Sequence, residues 1–321
     1  MKRYSLLFLF LLLNSTASLL KAQERVELLP YGDMDQWIVR EIHESKVIGG
    51  KTKYLYEIGP SDTIVGNTAY ENMGGSPWAN SNVLAKVSGV TKTSMTVSPE
   101  RRGNGWCVRM ETHMESVKAI GVINMEVLAA GSIFLGNVYE PIKSTKNPQA
   151  NLNTGIPFTK RPKALRFDYK VSAAPEKNRV RSTGFGKKGT VEGQDSLAVV
   201  LLLQKRWEDE KGNVYAKRVG TMIQRYTEST ADWVNGATYP ILYGDISSNP
   251  AYQPYMRIQV EERYTQNSKG ESVPIQEVLW GEADETPTHI VLQFASSHGG
   301  AYIGSPGNTL WIDNVAFVYD E

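Results

Sequence analysis

Wherever this chain shows a regular pattern, the pattern repeats every two residues. Leu165, Phe167, Tyr169 and Val171 alternate with Arg166, Asp168 and Lys170, so an extended backbone would put the apolar set on one face and leave the other wet. Val108 to Thr112 and Met256 to Val260 read as strands in the same way. Ser196 to Leu203, "SLAVVLLL", is a continuous apolar run that suits a strand buried on both faces. "LLLQKRW", "EDEKGN" and "VYAKRVGTMIQRY" follow as strand, polar turn and strand, a hairpin. Lys53 to Ile58 is one of few short strands in the ambiguous stretch 24–80, and "SVKAIGVINMEVLAAG" reads as a short helix. Gly, Pro, Asn and Ser cluster between the runs, as in "SPERRGNG" and "GDISSNPAYQP". Many strands without long amphipathic helices predict an all-β chain, a β-sandwich of jelly-roll type with an elaborated N-terminal half. Residues 24–321 form one domain on this reading; the alternative is two domains divided near residue 160.

The N-terminus sets the compartment. Met1-Lys2-Arg3 precedes an apolar run from Leu6 to Leu13, which decays through small and polar residues to Ala22-Gln23. This is the pattern of a signal peptide over 1–23, and the run is shorter than the roughly 20 residues a spanning helix needs. The chain is expected to be exported: periplasmic, secreted or held at the outer surface. Cys107, the single cysteine, lies far from the cut site, so no lipoprotein anchor and no internal disulfide is expected. Between Trp106 and Val108 it reads as a small buried hydrophobe. Without Lys2, Arg3 and Lys21 the formal balance of +1 moves to −2. No concentrated basic surface points to nucleic acid or to an anionic membrane.

Catalytic signatures are absent from the sequence. His43, His113, His289 and His298 are scattered without metal-ligand spacing. "GFGKKG" lacks both the phosphate-loop spacing and a preceding apolar strand. A glycosidase needs two carboxylates about 5–10 Å apart across a cleft, and nothing in the sequence marks such a pair. Recognition residues are easier to nominate among the seven Trp and sixteen Tyr. Most of these rings belong in a core. Trp78 beside Asn80 and Asn82, Trp207 at the charged hairpin turn, Trp233 after "ESTAD", and Tyr252 and Tyr255 around Gln253-Pro254 are the candidate ligand contacts.

Five stretches in register carry a family resemblance: "YGDMDQWIV" (31–39), "SPWANSN" (76–82), "AAGSIFLGNV" (129–138), "GIPFTKRPKALRFDYKV" (155–171) and "SSHGGAYIGSPGNTLWIDNVAFVYD" (296–320). Together they resemble the putative carbohydrate metabolism domain family of secreted Bacteroidetes proteins. That resemblance implies a β-sandwich related to carbohydrate-binding modules of the galactose-binding-like, jelly-roll kind, with no established catalytic activity. The two ends also resemble such modules, which often open on "GxFE…W" and close on an Asp-Asp/Asn-Val strand. Gly32 to Trp37 and Ile312 to Val315 occupy those places. Position by position, the resemblance implies a structural calcium ion held by Asp35 and Asp313, stapling the first strand to the last. The residues alone also allow a hydrogen-bonded or an exposed Asp313, which in strict alternation shares a face with Trp311, Val315, Phe317 and Tyr319. The expected function is non-catalytic glycan recognition, with a glycan or glycan-bearing partner. A surface adhesion or assembly protein and a glycoside hydrolase are the alternatives.

Overall fold

The computed structural model describes residues 24–320 apart from 71, 73, 74, 88, 120–122, 145, 185, 187 and 260, and only the backbone at 117–119 and 123. The signal-peptide reading of 1–23 lies outside the described residues. Helical structure among them is confined to the 3-10 turns Lys46–Ile48, Pro148–Asn151 and Pro254–Met256. The rest is strand and turn, so the chain is all-β.

An eight-stranded and a ten-stranded sheet face each other. The first is built around Gly105–Ala119, Thr309–Asp320 and Ala164–Ser172, the second around His289–Ala295, Leu197–Glu208 and Val214–Tyr226. The alternating residues foreseen in Ala164–Ser172 do face inward: Leu165, Phe167, Tyr169 and Val171 meet Leu197, Val199, Leu201 and Leu203 in one core. Leu197–Glu208 explains its unbroken apolar run. Its other face carries Val200 and Leu202, covered by Ile246 and Met256 in a second cluster. The main core draws on residues from Leu29 to Tyr319, on both sides of residue 160. The core thus lies between two facing sheets, which two three-stranded sheets and one two-stranded sheet accompany among the described residues.

The chain ends meet. Glu24–Leu28 pairs antiparallel with Thr309–Asp320, and Leu29 and Val315 continue the join through Leu29 N to Val315 O (2.9 Å) and Val315 N to Gly32 O (2.8 Å). A Cβ on Gly32 would lie 2.5 Å from the Val315 carbonyl, so the approach needs glycine.

Three local expectations are corrected. "SVKAIGVINMEVLAAG" is no helix. Its described parts belong to the antiparallel pair Gly105–Ala119 and Ile123–Ala130, where β-branched Val117 and Ile123 suit a strand. The expected strand from Met256 is absent over its described residues, 256–259. Pro254 opens a 3-10 turn, Arg218 Nη1 donates to the Met256 carbonyl, and Gln259 sits at φ 54°, so the backbone groups a ladder would use are spent or misdirected. Asp313 does not share the apolar face. Asn314 at φ 52° forms a bulge that shifts the register against Ala164–Ser172. Leu310 and Ile312 before it and Val315, Phe317 and Tyr319 after it all point into the core. Asp313 and Trp311 therefore face outward.

Candidate functional site

On the strand Gly105–Ala119, Val108, Met110 and Thr112 are fully buried, so by the pleat Arg109, Glu111, His113 and Glu115 stand on the opposite face. A second layer, Thr52–Ile58 paired with Trp37–His43, lies against that face and leaves a cleft of about 550 Å³. Tyr54, Tyr56 and the charged row all line it. Tyr54 is 48% exposed, while Tyr56 packs edge-on against Trp37.

The charged row is internally paired. Arg109 lies between Glu100 (Nε to Oε2, 3.4 Å) and Glu111 (Nη1 to Oε2, 2.7 Å). His113 Nε2 is 3.0 Å from Glu115 Oε1. That hydrogen bond raises the imidazole above its usual value, with burial opposing it. Lys92 reaches Glu44 at 3.1 Å and Glu115 at 3.8 Å. Aromatic faces beside paired carboxylates and cations give ring stacking and bidentate hydrogen bonding in one place.

A buried ion cluster fixes the Tyr54 wall. Arg40, 1% exposed, holds Glu57 at 2.9 Å and Glu140 at 2.5 Å, and Asn80 Nδ2 donates to Glu57 Oε2 at 2.8 Å.

The sequence candidates land elsewhere. Trp78 is 1% exposed, tilted against Phe294 with its indole N–H on the Pro30 carbonyl. Asn80 and Asn82 are also buried. Asn82 Nδ2 donates to the Tyr56 and Val97 carbonyls, and its Oδ1 accepts from the Thr96 and Val97 N–H groups. These three residues organise a turn inside the protein, because their polar atoms are spent on backbone and, at Asn80, also on the Glu57 carboxylate. Tyr252 and Tyr255 pack on the second cluster, and Arg225 lies over Tyr255 at 4.3 Å. Trp207 is 43% exposed and stacks on its cross-strand neighbour Tyr215, a flat surface at the end of a hairpin.

Trp233 lies beneath Arg102 at 3.9 Å. That guanidinium joins Asp168 (2.9 Å) to Asp313 (2.5 Å) and donates to Asn235. Burial pushes the Asp313 carboxyl up to about 6, against the pull of Arg102. Burial also raises Asp168, but hydrogen bonds from Asn314, Gly236 N–H and Arg102 outweigh it and bring the carboxyl below its usual value. Asp35 is exposed and accepts the Trp106 N–H at 2.7 Å, next to a Gly105 whose Cβ would lie 2.4 Å from Asp35 Oδ1. These donors do not fit a calcium ion. A guanidinium stands at Asp313 where the dication would sit, and among the described residues no three His, Cys, Asp or Glu side chains gather as a metal site.

A Ser, a His and an Asp also meet, without the geometry of a nucleophilic triad. Ser196 Oγ (2.9 Å) and Asp195 Oδ1 (3.0 Å) both approach His298 Nδ1, and Arg179 faces Nε2 at 3.4 Å. A triad divides its two partners between the two ring nitrogens. Asp195 instead ties together the loop of Ser297, Ser305 and Asn308.

Sequence reading missed Tyr54, Arg109, Glu111, His113 and Glu115. The available signal was the charged residue at every second position from 109 to 115 on a strand whose other face is apolar.

No curated protein matches the chain. A solved structure described as a putative glycoside hydrolase from Bacteroides thetaiotaomicron aligns at 17% identity and a TM-score of 0.45, over 85% of this chain and 76% of that one. The family model described as "Putative carbohydrate metabolism domain" matches residues 57–318, which take in the charged strand and the core sheets apart from Glu24–Leu28 and the last two residues of Thr309–Asp320, and begin just after Tyr54 and Tyr56. An all-β chain matched over that much of its length belongs to the putative carbohydrate metabolism domain family.

Proposed function

We propose that this protein is an exported, non-catalytic glycan-binding protein and that the cleft between Thr52–Ile58 and Gly105–Ala119 is its binding site. Family membership supports a carbohydrate-related role. The observation that carries the site is the cleft itself: Tyr54 and Tyr56 line it together with Arg109, Glu111, His113 and Glu115. A sugar ring needs an apolar surface for its C–H face and fixed polar groups for its hydroxyls, and this cleft offers both.

Carboxylate spacing favours binding over hydrolysis. Glu111 and Glu115 are four residues apart on an extended strand, roughly 14 Å at about 3.4 Å per residue, beyond the window of about 5–10 Å. Glu100 and Glu111 are closer, but Arg109 lies between them and takes the space a scissile bond would need.

Calorimetric titration with cello-, malto-, manno- and galacto-oligosaccharides tests the reading. Binding of at least one class, lost in Tyr54→Ala and Glu111→Gln and kept in Trp207→Ala, supports it. Loss in Trp207→Ala alone moves the site to the hairpin surface, and no binding of any class overturns the function.

A further inference from the structure

The outer face of the ten-stranded sheet, opposite the core, is roofed. The hairpin Val83–Val87/Val90–Ser94 and the pair Gly105–Ala119/Ile123–Ala130 border, with it, a second, partly open cavity of about 520 Å³. This is within the range of cavities that bury small ligands, about 300–1,000 Å³. Its floor has Phe134, Ala198, Val200 and Ala295; its roof has Val83, Val87, Val90 and Val127. The space has a physical cause. Ala198 and Ala295 are cross-strand partners that offer only methyl groups, and the adjoining run Ala129-Ala130-Gly131-Ser132 is equally small. Gln293 lies between Val200 and Phe134 in the ladder and is the polar group of the floor.

At one end the cavity and the polar cleft share Lys92, Thr93, Thr96 and Glu115 as common lining. An apolar chamber and a polar one that share a wall suit a ligand with both characters. We infer that the cavity holds the acyl chain of an acylated glycan whose sugar occupies the cleft, which rests on the glycan reading above for its polar half. A preformed, mostly apolar cavity of this size suits a hydrocarbon chain, and the charged pair Lys92–Glu115 marks where the chain gives way to the head group.

Alkyl maltosides with six-, eight-, ten- and twelve-carbon chains, maltose and decanoate serve as probes, each below its critical micelle concentration. Affinity should rise about 15-fold for each two carbons until the cavity is filled, the roughly 0.8 kcal/mol expected per buried methylene. Ala295→Phe, which fills the floor, should flatten that dependence and abolish decanoate binding at an unchanged unfolding midpoint. Ala85→Phe in the roof gives the same readout should the floor variant fail to fold. Decanoate binding that survives Tyr54→Ala, with no preference for maltosides over decanoate, would uphold the cavity while sinking the glycan reading. Affinity independent of chain length, or unaltered in both filled variants, would overturn the inference.

Discussion

Replacing Arg102 with Ala should expose what the bulge at Asn314 accomplishes. The guanidinium lies 2.9 Å from Asp168 and 2.5 Å from Asp313, and covers Trp233. Its removal leaves two carboxylates facing one another with nothing positive between them. Stripping one partner from a buried ion pair costs about 3–5 kcal/mol. Here the three side chains are 10–20% exposed, so solvent trims that to roughly 2–3 kcal/mol at neutral pH. The loss depends on pH with a defined sign. Asp313 titrates near 6 in the folded protein, above the ~3.9 of a free side chain. The native state therefore binds the extra proton between those values, and ionising Asp313 lowers stability as pH rises through 6. Without Arg102 its folded value climbs further, so the decline extends past pH 7. Urea unfolding of wild type and Arg102→Ala should show a smaller difference at pH 5, where Asp313 is protonated and only Asp168 loses its cation, than at pH 8. Adding Asp313→Asn to Arg102→Ala should restore most of the loss at pH 8. A difference independent of pH, or no rescue by Asp313→Asn, would refute this reasoning.

Four further outcomes are expected. A chelator should leave the unfolding midpoint unchanged, because Arg102 rather than calcium balances Asp313; a drop of several degrees would contradict this. The His113 ring resonances should titrate above the ordinary ~6.5, and Glu115→Gln should bring the midpoint down; since the raised value stabilises the fold below 6.5, that contribution fades as pH rises through the folded value. Arg40→Met should cost about 3–5 kcal/mol in urea unfolding by leaving Glu57 and Glu140 buried without a cation. Trp78→Ala should cost about 3–5 kcal/mol as a cavity mutation, with any glycan affinity of the folded fraction retained.

The fold was legible where one residue type dominated a face. Leu165 to Val171 and the run 197–203 announced their burial, because period-two patterning and unbroken apolarity each have one extended solution. The joining of the chain ends was implied by the resemblance at Gly32 to Trp37 and Ile312 to Val315, and the structure makes it by backbone pairing of Glu24–Leu28 with Thr309–Asp320. Asp313 misled because strict alternation assumes no bulge, and the positive φ that Asn314 tolerates is a backbone choice that sequence only hints at. Trp78, Asn80 and Asn82 looked like a binding loop because buried amides that satisfy backbone groups have the same composition as exposed ones. The cleft was invisible for a different reason: Tyr54 and His113 belong to separate layers, and only packing brings them together. The cavity was hidden too, since alanines at 198 and 295 read as core filler until the roof over them is seen.

Amide hydrogen–deuterium exchange with and without a saturating oligosaccharide tests the central claim most directly. Binding in the cleft predicts slowed exchange in Thr52–Ile58 and at 109–115, with the hairpin around Trp207 and Tyr215 unchanged. Slowed exchange at that hairpin, with none at 52–58 and 109–115, would contradict it.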